Sequence, residues 1–329
     1  MKLSKLLGAT ILVACSAGGA SASLVEFQSF FGNFAISSDG WGGTDGNGVI
    51  SAQVDGGSTV AAAYLYSSNI AGNATAPTQV TLDGQLVTGY TNLGTNNQNL
   101  TAFRSDVTSI VKSTIESGGG GIYDFAITEG GERLSIDGHA LVVVYENAAL
   151  PEASVGILDG FSDTGGDSTS INFAQGLDVS DPGFFAEMRL GIGFSCCSQA
   201  SDVSVNGNLI TRNAGNNDDG EEVSNGSLIT VGGFDDGFSS LLPSYADDTE
   251  RYNLAASGFL NNGDTSILIN TRNPSNDDNI FLAMFYVSGE AGFNEPPPSS
   301  PLPLPASAWL MLSVLAGLFG FGRFKTKSA

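Results

Sequence analysis

Ala140-Leu141-Val142-Val143-Val144-Tyr145 and Phe281-Leu282-Ala283-Met284-Phe285-Tyr286-Val287 are apolar runs without alternation. Successive side chains of a strand point to opposite faces, so a half-buried strand alternates apolar with polar residues. An unbroken run of strand length predicts cover on both faces. We therefore expect two central strands, one in each half of the chain, facing one another where the halves meet. Outward from them, residues 24–293 read as short apolar runs punctuated by Gly, Asn, Asp and Ser, the pattern of strands and turns. Residues 60–66, 80–82, 86–90 and 123–128 are the other predicted strands of the first half, with Asp83-Gly84 as a hairpin turn. One helix is predicted where Val107, Ile110, Val111 and Ile115 share a face, capped by Ser105 or Asp106 and ended by Gly118.

The second half repeats this order. Val203-Ser204-Val205-Asn206-Gly207-Asn208-Leu209-Ile210-Thr211 aligns with Val80-Thr81-Leu82-Asp83-Gly84-Gln85-Leu86-Val87-Thr88 at a constant offset of 123. Residues 188–194 answer 60–66, residues 251–259 take the place of the helix, 267–271 answer 125–128, and 281–287 answer 140–146. The expected fold class is all-β: two related β-sandwich units in tandem, residues 23–150 and 151–293. Many short strands favour a jelly-roll-like or immunoglobulin-like layout over a propeller.

The chain of 329 residues carries 34 Asp and Glu against 12 Lys and Arg, a formal charge of -22. Such a surface repels phosphate backbones and excludes a nucleic-acid partner. Hydrophobic residues at 41% suffice for a packed core, which argues against a disordered chain.

The ends read as address labels. Lys2 and Lys5 followed by the apolar residues 6–14 and the small residues Ala20, Ser21 and Ala22 form a signal peptide over residues 1–22, cleaved after Ala22. A competing reading takes Leu12-Val13-Ala14-Cys15 as a lipobox with Cys15 lipidated. At the far end, residues 294–305 form a Pro-rich linker, residues 306–322 are 17 positions without a charge, and residues 323–329 carry Arg323, Lys325 and Lys327. Seventeen apolar residues are at the short limit for a transmembrane helix, and the basic end would stay cytoplasmic. Without the five basic residues of the two ends, the body keeps seven basic residues against 34 acidic, a charge of -27, and Lys112 is its only lysine.

Leu302-Pro303-Leu304-Pro305-Ala306, the membrane run and the basic stop together resemble the tripartite sorting tails of Gram-negative exported proteins, the PEP-CTERM class and its VPLPA-CTERM subtype. Leu302 stands where the subtype has Val, and the basic residues are spaced rather than dense. The resemblance covers about the last 30 residues. It implies transient insertion in the inner membrane and recognition by an exosortase-type enzyme near Pro303, Leu304, Pro305 and Ala306, with release or transfer of the body to the cell surface. Residues 138–161 also resemble a β-rich module of bacterial exported surface proteins of unassigned function.

Candidate chemistry is sparse. Cys196 and Cys197 are the only cysteines of the body once Cys15 is removed; export makes a vicinal disulfide the expectation, strained because adjacent Cα atoms lie closer than the usual span. His139 is the sole histidine, two residues from Asp137, and no G-x-S-x-G turn accompanies it, so it reads as a hydrogen-bonded structural residue rather than a catalytic base. Oxygen-rich loops include residues 39–48, 163–167, 216–222, Asp235-Asp236, Asp247-Asp248 and 276–279; Asp45, Asn47, Asp218, Asp219 and Glu221 are the calcium candidates, although no loop completes a calcium-binding spacing. Trp41, Tyr64 and Tyr66 are the rings considered for sugar stacking, with core packing the simpler account of the tyrosines. No cofactor is expected beyond calcium. The expected function is a non-catalytic structural or adhesive protein of the surface or extracellular matrix, with extracellular polysaccharide as partner. The alternatives are a calcium-assisted carbohydrate-binding protein and, third, a secreted glycosidase with paired carboxylates.

Overall fold

The computed structural model describes residues 24–43, 45–70, 72–95, 99–163, 165–193, 201–215, 229–242, 249–274 and 279–294. These residues are mostly strand, arranged in four antiparallel sheets, and the elements are numbered here in chain order. Across the first outer sheet the order is β3 (Asn47–Val54), β9 (Gly121–Thr128), β5 (Thr81–Leu82) and β6 (Gln85–Leu86). The first inner sheet runs β2 (Phe34–Gly42), β10 (Ile136–Glu146), β4 (Thr59–Asn69), β8 (Thr101–Asp106) and β7 (Thr91–Thr95). In the second inner sheet the order is β1 (Val25–Gly32), β11 (Ala153–Asp159), β19 (Asn279–Ser288) and β13 (Ala186–Gly193), with β16 (Ile229–Val231) and β17 (Arg251–Asn253) both paired to β13. The second outer sheet is β15 (Asn208–Ala214), β14 (Ser201–Val205), β18 (Ser266–Arg272), β12 (Asp167–Phe173) and β20 (Ala291–Phe293).

Three apolar cores set the stacking order. Ile50, Ala52, Phe125 and Ile127 of the first outer sheet pack on Leu65, Leu141 and Val143. Tyr66, Ala140, Val142 and Val144 pack on Val155, Ile157, Phe281, Leu282 and Met284 between the two inner sheets. Leu190, Ile192, Phe285 and Val287 pack on Val203, Val205, Ile267, Ile269 and Phe293 of the second outer sheet. Each large side chain so buried contributes roughly 1.5–3 kcal/mol. The two alternation-free runs are explained by this order. Alternate residues of β10 enter the first and middle cores, and those of β19 enter the middle and second cores, so neither strand has a wet face. The inner sheets approach closely at Gly138, where a Cβ would lie 2.5 Å from Ile229 Cγ2 and 2.7 Å from the Trp41 carbonyl oxygen.

Local chemistry accounts for the details. Asp83 and Gly84 have φ of 52° and 74°, and Asn206 and Gly207 have 48° and 77°, so both hairpins turn through two left-handed residues, as Asp-Gly and Asn-Gly pairs favour. The predicted strand at 86–90 ends at Leu86; Val87 still donates to the Val80 carbonyl opposite it in the hairpin, and Gly89 then takes a φ of 76°. Helix α1 (Thr108–Ser117) buries Ile110, Val111 and Ile115, but its first residue is preceded by Val107 as cap. Ser105 is turned instead to the Thr88 carbonyl, and Asp106 accepts the Thr108 N–H at 2.9 Å from one position further out. Gly118 ends the helix in an extended rather than left-handed conformation. Strand β1 pairs with β11, so the first described strand lies in the second inner sheet and the chain crosses to the first at Gly32, whose φ is 137°.

Candidate functional site

One row across the first inner sheet brings together three side chains distant in sequence. Register places His139 between Trp41 of β2 and Ser67 of β4. Ser67 Oγ lies 2.9 Å from His139 Nδ1, and His139 Nε2 lies 3.1 Å from Glu129 Oε1. Glu129 follows β9 and is anchored by its own N–H to the Gly46 carbonyl. The Trp41 ring is parallel to the imidazole within 8° at 6.4 Å, and Gly48 leaves the room it needs, since a Cβ there would sit 2.0 Å from Trp41 Nε1. The Tyr90 hydroxyl is 3.4 Å from Ser67 Oγ. Asp137, two residues before His139, is buried, and burial together with the Glu129 charge holds its carboxyl well above the usual range. The result has the residue types of a serine–histidine–carboxylate relay, yet Ser67, His139 and Glu129 are each 0% exposed. In this arrangement the three groups act on one another as a hydrogen-bonded plug at the end of the first core.

A second polar cluster lies at the seam between the inner sheets. Asp39 of β2 accepts the N–H groups of Gly40 at 2.9 Å and Ser51 at 2.5 Å. Its pKa is pushed up to about 7, by burial first and then by the charges of Asp235 and Asp236. The segment 232–238 is lashed to the same strand, because Phe234 N–H donates to the Ser38 carbonyl and Ser38 Oγ donates to the Gly232 carbonyl. Arg189 and Arg251 share Glu187 Oε1 at 2.5 and 2.8 Å, while Arg189 also donates to Ser38 Oγ and Arg251 to the carbonyls of Phe234 and Asp236. A third buried group pairs Arg104 with Asp159, which also accepts the Tyr66 hydroxyl at 3.1 Å, and the guanidinium sits 3.3 Å over the Phe27 ring.

Open surface chemistry is found in a groove of about 520 Å3 beside β12, lined among others by Phe173, Asp178, Asp181, Phe184 and Glu290. Its carboxylates are partly engaged by the chain itself. Asp178 accepts the hydroxyl and N–H of Ser180, bonds that hold it below the usual carboxylate range, and Asp181 accepts the Gly183 N–H at 2.8 Å. The groove is acidic and partly aromatic, a lining that suits a cation or the hydroxyls of a sugar.

The residues singled out from sequence fall in different places. Asp45 just ahead of β3 and Asn47, its first residue, are exposed, and the Asn47 amide donates to the Asp45 carbonyl at 3.1 Å. Trp41, Tyr64 and Tyr66 are all buried, so none presents a ring face to a sugar, and the stacking idea for Trp41 is replaced by its packing on His139. Asp39 and Asp235-Asp236, separate acidic clusters in sequence, are brought together. Among the described residues no group of three His, Cys, Asp or Glu side chains is arranged to hold a metal ion. Asp218, Asp219, Glu221, Cys15, Cys196, Cys197, Ala22 and the sorting motif Pro303, Leu304, Pro305 and Ala306 lie outside the described residues, as does the predicted membrane helix at 306–322. Ser67 and Glu129 escape a reading of the sequence, because only strand register joins them to His139.

No family model matches the chain, and no curated protein matches it. Two of the solved structures that it is similar to are "Crystal structure of BuGH86wt in complex with neoagarooctaose", at 10% identity and a TM-score of 0.24, and a variant form of the same protein with the same ligand, at 9% and 0.21. Each alignment covers 80% of this chain, which spans 34% of the length of theirs.

Proposed function

We propose that the chain is an exported, non-catalytic protein of the cell surface or extracellular matrix, structural or adhesive in role, with a body of two related jelly-roll sandwiches in tandem. The observation that carries the export reading is the tail: a Pro-Leu strip at 302–306, an uncharged run of membrane length, then Arg323, Lys325 and Lys327. In this reading residues 1–22 are removed after Ala22, residues 306–322 park the chain in the inner membrane, and an exosortase-type enzyme cuts near Pro303 to Ala306.

Strand order supports the tandem reading. Counting from β2 and passing over β7, the eight strands of the first half lie as 1-8-3-6 in the inner sheet and 2-7-4-5 in the outer. Counting from β11, with β16 and β17 together as the sixth and passing over β20, the second half lies in the same order. That order is the double Greek key of a jelly roll. Two such units joined through an apolar middle core form one block that turns its two outer sheets to solvent, and a body charge of -27 keeps copies soluble while letting divalent cations bridge them.

Intact mass of the protein recovered from its native host tests this. We expect loss of residues 1–22 and of everything beyond the Pro-Leu strip; a cytosolic protein, or one held in the inner membrane with its tail uncut, sinks the reading. The acidic groove with Phe184 favours a second reading, calcium-assisted carbohydrate binding. Glycan-array binding that disappears with EDTA would support it, and an array without hits would remove it.

A further inference from the structure

Among the described residues, the buried side-chain oxygens and nitrogens without a hydrogen-bond partner are four, all oxygens: Asn69 Oδ1, Glu129 Oε2, and Asp137 Oδ1 and Oδ2. All four come from one end of the first stack. Asn69 is the last residue of β4 and pairs in register with Ile136, the neighbour of Asp137, and Glu129 is near enough for its charge to act on Asp137. A register shift between Ile136 and Gly138 sets Asp137 in a bulge, the device by which a strand re-aims a side chain. Asn69 lies two residues beyond Ser67 and so shares the face that carries the His139 plug.

The orientation of two of these groups is already set by bonds on their other side. The Asn69 amide nitrogen donates to the carbonyls of Asn73 and Thr75 at 3.3 and 2.9 Å, which commits its oxygen to the opposite side. Glu129 Oε1 faces the imidazole, which leaves Oε2 to the interior. Partners behind the ligands that fix tautomer and direction are what oxygen-donor sites require. With both carboxyls ionised, the four are acceptors with no donor among them and call for a positive guest, and two carboxylates match a divalent charge. Carboxylate and amide oxygens are the donor set of calcium; zinc would want the imidazole, whose two nitrogens are engaged by Ser67 and Glu129.

We propose that Asn69, Glu129 and Asp137 form a buried calcium site that closes the end of the first core. This site is separate from the loop candidates Asp45, Asn47, Asp218, Asp219 and Glu221, and its argument does not rest on the export reading.

The test uses the purified full chain after chelator treatment. Calcium at about a hundredfold above its Kd raises Tm by roughly 5–10 °C, and a single ion per chain is retained on dialysis. Asp137→Asn abolishes the rise, whereas Glu152→Gln, an exposed carboxylate elsewhere, keeps it. Terbium supplies a readout on the wild-type chain should the variant fail to fold: its emission, excited through the indole of Trp41, grows on binding and is displaced by calcium. A Tm indifferent to calcium, no sensitised terbium emission, or a calcium response that survives in Asp137→Asn overturns the proposal. If calcium has no effect and Asp137→Asn is more stable than wild type, the two carboxylates share a proton instead.

Discussion

Asp39 holds a proton near neutrality because the fold removes it from water beside two other acids. Its pKa moves from 3.8 to about 7, so between those values the folded chain binds a proton that the unfolded chain has released. The sign follows: this group's contribution is largest at low pH and is lost as pH rises through about 7, by roughly 2–4 kcal/mol. Urea midpoints measured across that range should fall with rising pH, and Asp39→Asn should flatten the fall; an unchanged slope would assign the effect to Asp137, Asp159 or Asp236, which burial also raises. Arg104 poses the opposite case. Removing it in Arg104→Ala strands the buried Asp159 with only the Tyr66 hydroxyl, an expected loss of about 3 kcal/mol in denaturant unfolding. Adding Asp159→Asn should recover part of that loss, since the stranded charge is then gone.

At the level of elements, the hairpins β5–β6 and β14–β15 make a matched pair. Gly84 and Gly207 have φ of +74° and +77°, and nothing lies within 4 Å of where a methyl would stand, so alanine there meets backbone strain and no clash. Gly84→Ala and Gly207→Ala should each cost about 1–2 kcal/mol in chemical denaturation, and a neutral effect at either would contradict the left-handed turn. These turns were legible in advance because Asp-Gly and Asn-Gly state their preferred φ locally. The helix was legible from its apolar spacing, though its cap was not: Ser105 is drawn away to the Thr88 carbonyl, a partner that spacing along the helix does not reveal. The crossing of β1 into the other half was equally hidden. Its residues suit an edge strand in either inner sheet, and its pairing with β11 goes with the turn of the chain at Gly32.

For the whole molecule, the middle core decides whether two halves behave as one. Met284 is fully buried there, and Met284→Ala should cost about 2–5 kcal/mol. Calorimetry should show one cooperative transition that shifts as a whole, with van't Hoff and calorimetric enthalpies in agreement; two separated transitions, of which only one moves, would mean the halves fold independently. Gly138→Ala probes the same joint by a different force. Its methyl would press on Ile229 and on the backbone at Trp41, forcing the inner sheets apart at an expected cost of about 1–3 kcal/mol.

Strand content, the two buried central strands, the paired hairpins and the acidic character of the chain were determined by sequence alone. Each rests on a local rule of side-chain alternation, turn geometry or charge count. Which sheet received β1, how Asp39 came to face Asp235 and Asp236, and why Ser67, His139 and Glu129 meet were decided by tertiary structure. Those contacts depend on register between strands tens of residues apart, and register is set by how the apolar faces of all four sheets fit at once, a condition that no single segment carries.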